Sequence, residues 1–218
     1  MTGCRVSVDT VLFRLGLARL QVLLLRRLRP PFAGWSSLPG GLLHPREELQ
    51  AAAVRILRQR AGLDDVYLEQ LFTFGDPARD PRGRVITVAH IALVPPATPL
   101  PAGDASWTPL HALPRLAFDH RRIVDYALQR LRGKIEYSPV GFRLLPEEFT
   151  LTEVQEAYEA VLGRVLDKRN FRKKLLSLKV LRPLGRARKV GAHRPARLYR
   201  FEESRWEGVR DKGNVFVF

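Results

Sequence analysis

The chain has 218 residues, of which 45% are hydrophobic, and a formal net charge of +15 at pH 7. This length accommodates a medium domain and a smaller one, each with a packed core. Its single cysteine, Cys4, excludes an intramolecular disulfide framework and a cysteine-based zinc site, and is typical of a reducing compartment.

The N-terminal region predicts two β-strands. Residues 5–15 and 18–28 alternate or run apolar and β-branched on either side of Gly16. Arginines at positions 14, 19, 26 and 27 interrupt this region too often for a membrane span or a signal peptide. We therefore expect a cytoplasmic protein that has no membrane partner.

A loop and a helix come next. Residues 30–41 are dense in proline, glycine and serine, which is typical of a loop. Pro45 is expected to occupy the first turn of a helix that Gly62 ends. The apolar residues of this helix recur at helical spacing and predict a buried stripe, which consists of Leu49, Ala52, Ala53, Ile56 and Leu57.

The same segment carries a motif whose positions are Gly41, Glu47, Arg55, Leu57, Gly62 and Leu63. This spacing resembles the Nudix hydrolase signature, G-x5-E-x7-R-E-U-x-E-E-x-G-U, in which U is a bulky aliphatic residue. In Nudix enzymes the three helical glutamates share one helix face and present oxygens to Mg²⁺. Positions 56, 59 and 60 hold Ile, Gln and Arg here. We therefore predict a nucleotide-diphosphate pocket without hydrolase activity and without a metal or other cofactor.

Hydrolysis with atypical ligands is the alternative interpretation of this motif. The remaining acids near it are Glu47, Glu48 and Glu69. They lack the clustered spacing of the helical glutamates, so the inactive pocket is the favoured prediction.

Basic and aromatic side chains near the motif are candidates for binding a nucleotide, because arginine pairs with phosphates and tryptophan stacks on bases. The predicted effector-binding residues are Arg27, Trp35, Gly41, Glu47, Arg79, Arg82 and Arg84. The alternative is that Trp35 packs within its loop and that the arginines are solvated.

Two more strands and a helix complete the first predicted domain, residues 1–132. Residues 67–74 and 84–94 have the composition of strands, and a turn-rich loop separates them. An apolar face through Ile123, Ala127 and Leu131 predicts a helix over residues 119–132.

The second predicted domain, residues 133–218, has the order of elements found in a winged helix-turn-helix. The stretch Thr150-Leu-Thr-Glu153 is a capping box, and Asp167 caps a second helix that extends to about Val180. Residues 181–186 and 197–201 then predict a hairpin with a basic wing between its strands.

Positive charge is concentrated in this second domain. Residues 164–200 carry 14 basic residues against one acidic residue, Asp167. Phosphates are the natural partners of such a surface, and asparagine and serine can reach base edges. The predicted contacts to double-stranded DNA are Lys168, Arg169, Asn170, Arg172, Lys173, Ser177, Arg188, Lys189 and Arg194. The alternatives are a solvated helix face and an RNA-binding relative of the Nudix proteins.

Several strings of residues together resemble one family. They are Trp35…Leu38-Pro-Gly-Gly41, the altered Nudix motif, Thr73-Phe-Gly-Asp-Pro…Arg79-Asp-Pro-Arg-Gly83, Phe118-Asp-His120, Phe149-Thr-Leu-Thr-Glu153, Leu166-Asp-Lys-Arg-Asn-Phe-Arg172 and Arg194-Pro-Ala-Arg-Leu-Tyr-Arg-Phe201. Over about residues 5–202 the chain resembles the Nudix-related transcriptional regulators of the NrtR type.

This resemblance implies an α+β fold, in which a Nudix-like α/β/α sandwich with a mixed sheet is followed by a C-terminal winged helix-turn-helix. It also implies a homodimer that represses genes of NAD metabolism from palindromic operators and responds to ADP-ribose or a related nucleotide. Some relatives respond to sugars and regulate carbohydrate genes instead. His90 stands where many relatives have tyrosine, which leaves the identity of the effector open if that position lines the pocket.

Overall fold

The structure, a computed structural model, describes residues 3–101, 103–189, 195–210 and 216. Residue contacts divide the chain into two compact units. The first consists of the chain up to Arg14, Gln21–Val94 and Thr98–Arg130, and the second consists of Leu15–Leu20, Pro95–Ala97 and the chain from Leu131 onward. The predicted domain ranges, 1–132 and 133–218, stay a prediction.

The first unit is built on a seven-stranded sheet. Its strands are β1 (Arg5–Gly16), β2 (Arg19–Arg26), β3 (Ser36–Ser37), β4 (Gly40–Leu42), β5 (Tyr67–Phe74), β6 (Val85–Leu93) and β7 (Ala105–Pro109). Their order is β3-β2-β1-β6-β5, with β4 paired to β1 and β7 paired to β2. Since β1 runs parallel to β6 and β5 runs antiparallel to β6, the sheet is mixed, as expected.

Helix α1 (Leu49–Ala61) packs against this sheet with the predicted apolar stripe. Ile56 lies in a buried cluster with Val8 of β1, and Leu57 lies in a second cluster with Leu12. Gly62 ends the helix in the left-handed conformation, with φ of 63°. The central strand β1 and α1 therefore pack against each other through two apolar clusters.

The predicted start of α1 at Pro45 was wrong by about one turn. Arg46 has a left-handed φ of 67°, which a continuous right-handed helix does not allow. The Glu47 carboxylate closes the resulting turn by accepting a hydrogen bond from the backbone N–H of His44 at 3.0 Å. The helix begins at Leu49, after this turn.

Helix α2 (His120–Ile135) carries the apolar face predicted for residues 119–132. The ring of Tyr126 contacts Phe72 and Phe74 of β5 at centroid distances of 5.0 and 5.8 Å. Strand β7 was not predicted, because its segment follows a proline-rich passage and its pairing with β2 joins distant parts of the chain.

The second unit contains the predicted winged helix-turn-helix. Its named elements are β8 (Phe149–Thr150), α3 (Leu151–Leu162), α4 (Lys168–Ser177), β9 (Leu181–Arg188), β10 (Ala196–Phe201) and α5 (Glu203–Arg210). The three strands form a sheet in the order β8-β10-β9, and a 3₁₀ turn at Pro139–Leu144 precedes them. Helix α5 and this turn were not predicted. The fold class is confirmed.

Local hydrogen bonds set the ends of α3 and α4. The capping box is confirmed: Thr150 Oγ1 accepts from the backbone N–H of Glu153 at 3.2 Å, and Glu153 Oε2 accepts from the backbone N–H of Thr150 at 2.6 Å. Asp167 caps α4 by accepting from the backbone N–H of Asn170 at 2.8 Å. Helix α4 ends at Ser177 rather than near Val180, because Lys179 is left-handed with φ of 57°. Within the described part of the chain, no helix is long and apolar enough to cross a membrane.

Candidate functional site

The first unit contains a cavity of about 620 Å³, a volume typical of small-molecule sites. Its walls come from β1, the loop after β2, strand β4, the end of α1, the β5–β6 loop and the start of α2. Six arginines and two aspartates line it: Arg26, Arg27, Arg29, Arg60, Arg79, Arg82, Asp9 and Asp80. The arginines outnumber the aspartates by four, so the lining has a formal charge of +4 and favours an anionic ligand.

The cavity brings together four of the seven predicted effector-binding residues, namely Arg27, Gly41, Arg79 and Arg82. Trp35, Glu47 and Arg84 are not among its described lining residues. Trp35 packs against Phe32 at 5.1 Å between ring centroids, and the Arg115 guanidinium lies 4.3 Å from its ring. Arg84 donates a hydrogen bond to the Gly75 carbonyl at 2.5 Å. The binding role of all seven residues stays a prediction.

Glu47, the first acid of the motif, is bound by an arginine of the same motif. Arg55 donates from Nε to Oε1 at 2.6 Å and from Nη2 to Oε2 at 2.7 Å. These hydrogen bonds, together with the one from the His44 backbone, lower the pKa of Glu47 to about 2. The pair therefore fixes the turn before α1 to the helix itself.

A buried ion-pair network stands at the wall of the cavity. Arg79 donates to Asp119 from Nε at 3.0 Å and from Nη2 at 2.8 Å, and its Nη2 also donates to Asp9 at 3.4 Å. The Arg79 side chain is only 3% exposed. The network joins β1, the β5–β6 loop and the start of α2, so it holds three walls of the cavity in one arrangement.

His120 extends the network to the loop between β3 and β4. Its Nδ1 accepts a hydrogen bond from the backbone N–H of Leu38 at 2.9 Å, so Nε2 carries the proton of the neutral ring. Nε2 lies 3.6 Å from Asp9 Oδ1. Burial lowers the pKa of His120, although Asp9 and Asp119 act in the other direction. The ring is therefore neutral at pH 7.

A glycine gives Asp9 the space that it needs. A Cβ atom on Gly40, which faces Asp9 across the β1–β4 pair, would lie 1.9 Å from Asp9 Oδ1. A side chain at this position would push the carboxylate away from Arg79. Gly40 thus contributes to the site by leaving room for the Asp9 carboxylate, although it has no side chain of its own to bind a ligand.

Sequence reasoning did not assign Asp9, Asp119 or His120 to the site. A signal existed for Asp9, because it is the one acid of strand β1, and a charge that is buried in a strand needs a partner. Asp119 and His120 were visible only in the string that carries the family resemblance. His90, in contrast, is buried in β6 and is not among the described lining residues.

The motif residues do not fit a divalent metal. Ile56 is buried in the core with Val8, Gln59 accepts a hydrogen bond from Arg55 at 3.5 Å, and Arg60 adds a positive charge to the cavity. Hard cations need several clustered oxygens. Among the residues that the structure describes, no group of three His, Cys, Asp or Glu side chains could hold a metal ion.

The predicted DNA contacts of α4 divide into two groups. Five of them are exposed, namely Lys168, Arg169, Asn170, Lys173 and Ser177. Arg172 is half-buried and donates a hydrogen bond to Thr152 Oγ1 of α3 at 2.9 Å. Phe171 and Leu175 are buried, and Phe171 contacts Tyr158 of α3 at 5.6 Å between ring centroids. The helix therefore presents a polar, cationic face to solvent and an apolar face to α3.

The basic hairpin is tied to the start of α3. Arg188 donates to Glu153 Oε1 and to the Glu148 carbonyl, both at 2.8 Å. Lys189 is exposed at the end of β9, and Arg194 lies outside the described residues. The contact of these three residues with DNA stays a prediction.

Two family models match the chain. The NUDIX domain model matches residues 5–127, and the model of the NrtR DNA-binding winged helix domain matches residues 141–201. Over 204 residues the chain is 35% identical to the ADPR responsive transcriptional repressor NtrR of Acinetobacter baylyi. This alignment covers 90% of this chain and 81% of that relative. Over 111 residues the chain is 39% identical to an ADP-ribose pyrophosphatase of Methanocaldococcus jannaschii. That alignment covers 49% of this chain and 65% of that enzyme.

Solved structures also resemble this chain. Shewanella oneidensis NrtR complexed with a 27mer DNA matches with a TM-score of 0.81 and 34% identity, over 93% of this chain and 95% of that chain. The Nudix domain of the same protein complexed with ADP ribose matches with a TM-score of 0.54 and 34% identity, over 60% of this chain and 90% of that chain. The chain therefore belongs to the NrtR family of Nudix-related transcriptional regulators.

Proposed function

We propose that this chain is a DNA-binding transcriptional repressor whose Nudix-like domain senses ADP-ribose or a related nucleotide and does not hydrolyse it. The observation that carries the proposal is the cavity, which combines an excess of four positive charges with motif positions that cannot hold a metal. Such a cluster of arginines suits a diphosphate, because arginine binds phosphate oxygens through paired hydrogen bonds.

The exposed face of α4 supports the DNA-binding part of the proposal. Lysine and arginine side chains bind phosphates, and we propose that the exposed Asn170 contacts a base edge. The DNA complex of Shewanella oneidensis NrtR supports the same role for the winged helix. We propose that the protein acts as a homodimer on a palindromic operator, with half-sites about one helical turn apart.

The responsive step follows from linkage. A ligand changes DNA affinity only if it binds more tightly to one arrangement of the two recognition helices than to another. The similarity to an ADPR responsive repressor supports ADP-ribose as that ligand. We propose genes of NAD metabolism as the targets, as the family resemblance implies.

Fluorescence anisotropy tests the proposal, with labelled duplexes taken from the region upstream of the gene itself. At physiological salt we expect a palindromic duplex to bind with a Kd of about 10 nM or below, and a scrambled duplex to bind at least about 1,000-fold more weakly. ADP-ribose should change the Kd of the palindrome, and simple sugars should not. The proposal fails if no palindrome is preferred, if single-stranded RNA outcompetes the duplex, or if only a sugar changes DNA binding.

A second assay tests the absence of hydrolysis, which the similarity to an ADP-ribose pyrophosphatase makes the relevant rival. The protein is incubated with ADP-ribose and Mg²⁺, and AMP is measured by chromatography. We expect no AMP above that of a protein-free control. Mg²⁺-dependent AMP release that Glu47→Gln abolishes would instead establish a hydrolase with atypical ligands.

A further inference from the structure

Arg60 occupies an informative position in the cavity. It lies in the last turn of α1, at the motif position where a metal-dependent Nudix enzyme has its last helical glutamate. Arg60 is also one of the residues that line the cavity, so its side chain faces the space in which a ligand would lie. The position that carries a metal-binding glutamate in such enzymes carries a guanidinium here.

Arg60 differs from Arg79 and Arg82 of the cavity in the state of its hydrogen-bond donors. Arg79 is bound by Asp9 and Asp119, and Arg82 donates to Asp80 at 2.9 and 2.6 Å. Arg60 makes no hydrogen bond or ion pair with any residue in the described part of the chain. Its planar fork of donors is therefore available to a ligand.

The charge at this position matches what a metal would supply. An exchange of glutamate for arginine raises the local charge by two units, which is the charge of one Mg²⁺ ion. Arginine can bind a phosphate through two parallel hydrogen bonds, whereas Mg²⁺ needs several oxygen ligands that this motif lacks. Arginine and metal are thus alternative ways to neutralise a diphosphate at one place.

We propose that Arg60 binds the diphosphate of the ligand directly and takes the place of the metal, so that ligand binding needs no divalent cation. This proposal rests on the proposed function, because it takes ADP-ribose as the ligand. It goes further by assigning a residue to the diphosphate and by fixing the metal dependence of binding.

Isothermal titration calorimetry of ADP-ribose with the full chain tests the proposal. The affinity of the natural protein should be the same in EDTA and in millimolar Mg²⁺. Arg60→Gln should weaken binding by about 10-fold or more, because a charge-assisted hydrogen bond is lost, and Arg60→Lys should lie between the two. The matched control is Arg58→Gln: Arg58 lies in the same turn, pairs with Asp64 and does not line the cavity, so binding should not change.

Two results would overturn the assignment. One is tighter binding in Mg²⁺ than in EDTA, and the other is unchanged binding in Arg60→Gln, provided that circular dichroism shows a folded variant. If the natural protein binds no ADP-ribose, the proposed effector is wrong, and inorganic pyrophosphate in EDTA then decides the role of Arg60. Pyrophosphate binding that Arg60→Gln weakens would support that role, whereas no binding, or binding that is insensitive to the substitution, would reject it.

Discussion

The cavity and helix α4 hold their positive charges in different ways. In the cavity, Arg79 and Arg82 are paired with aspartates, and the Arg79 side chain is buried. On α4, Lys168, Arg169 and Lys173 are exposed and make no ion pair with any described residue. These two cavity arginines are thus fixed before a ligand arrives, whereas these three cations of α4 have no such partner among the described residues.

This difference corresponds to the size of the expected ligands. A small nucleotide offers few contacts, so its binding gains from arginines whose orientation is set in advance. A DNA duplex offers a long array of phosphates, and mobile side chains bind it through counterion release that depends on salt. We therefore expect substitutions in the cavity network to change folding, and substitutions on α4 to change salt dependence.

The largest expected effect is that of Arg79→Met. Removal of the guanidinium leaves the buried Asp9 and the half-buried Asp119 without their cation, so the free energy of unfolding should fall by about 3–5 kcal/mol. Urea unfolding followed by tryptophan fluorescence measures this loss. The control is Arg121→Ala, which breaks an exposed ion pair with Asp125 and should cost about 0.5 kcal/mol or less. If both substitutions lower the free energy of unfolding equally, the ion pairs of Arg79 hold it in place no better than a surface ion pair would.

Gly40→Ala comes next. The new Cβ would lie 1.9 Å from Asp9 Oδ1, so we expect overpacking to cost about 1–3 kcal/mol and to weaken ADP-ribose binding by displacing Asp9. Gly41→Ala is the stability control, because its Cβ would meet Ile56 Cδ1 at 3.4 Å, an ordinary contact. Thermal unfolding of both variants checks the prediction. A stable Gly40→Ala variant would show that the carboxylate has room to move.

Lys173→Ala should weaken DNA binding severalfold and lower the slope of log K against log salt by about 0.9, the value for one phosphate contact. Arg188→Ala should change this slope less and should lower the melting temperature, since Arg188 is bound by Glu153 and the Glu148 carbonyl. Anisotropy titrations at four salt concentrations measure both slopes. If the slopes fall equally, Arg188 also binds a phosphate, and the contrast between free and paired cations does not hold within the winged helix.

The smallest expected effect concerns pH. Burial lowers the pKa of His120 below its ordinary value of 6.5, so between these two values the unfolded chain binds more protons than the folded one. Stability should therefore decrease as pH falls below about 6.5. His120→Gln, which can still accept from the Leu38 N–H, should reduce this decrease; melting curves between pH 7.5 and 5.5 provide the measurement. A residual decrease is expected from His90, whose pKa burial also lowers.

Local signals in the sequence predicted the elements that local hydrogen bonds define. The capping box of Thr150 and Glu153 and the cap of Asp167 set the ends of α3 and α4 within a few residues. Strand β5 was predicted with the bounds that the structure has. The start of α1 was misjudged because the left-handed conformation of Arg46 is a backbone choice that residue types alone do not reveal.

The network in the cavity could not be derived in the same way. Arg79 meets Asp119 across 40 residues and Asp9 across 70, and neither separation follows a local pattern. Arg79 was predicted as a ligand-binding residue, yet its strongest contacts are within the protein. The sequence alone does not tell whether a basic residue in a loop binds a ligand or pairs with an acid of the same protein. The fold decides between these two roles.

The burial of Ile56 has a consequence for the evolution of this domain. The Nudix signature has a glutamate at this position, where Ile56 is 2% exposed and packs with Val8, Ala52 and Ala53. The carboxylate would enter an apolar core and destabilise the domain, while Gln59 and Arg60 would still lack the oxygens that complete a metal site. A glutamate introduced at this position alone would therefore lower stability without completing a metal site. The packing around Ile56 thus opposes the gain of a metal site by single substitutions.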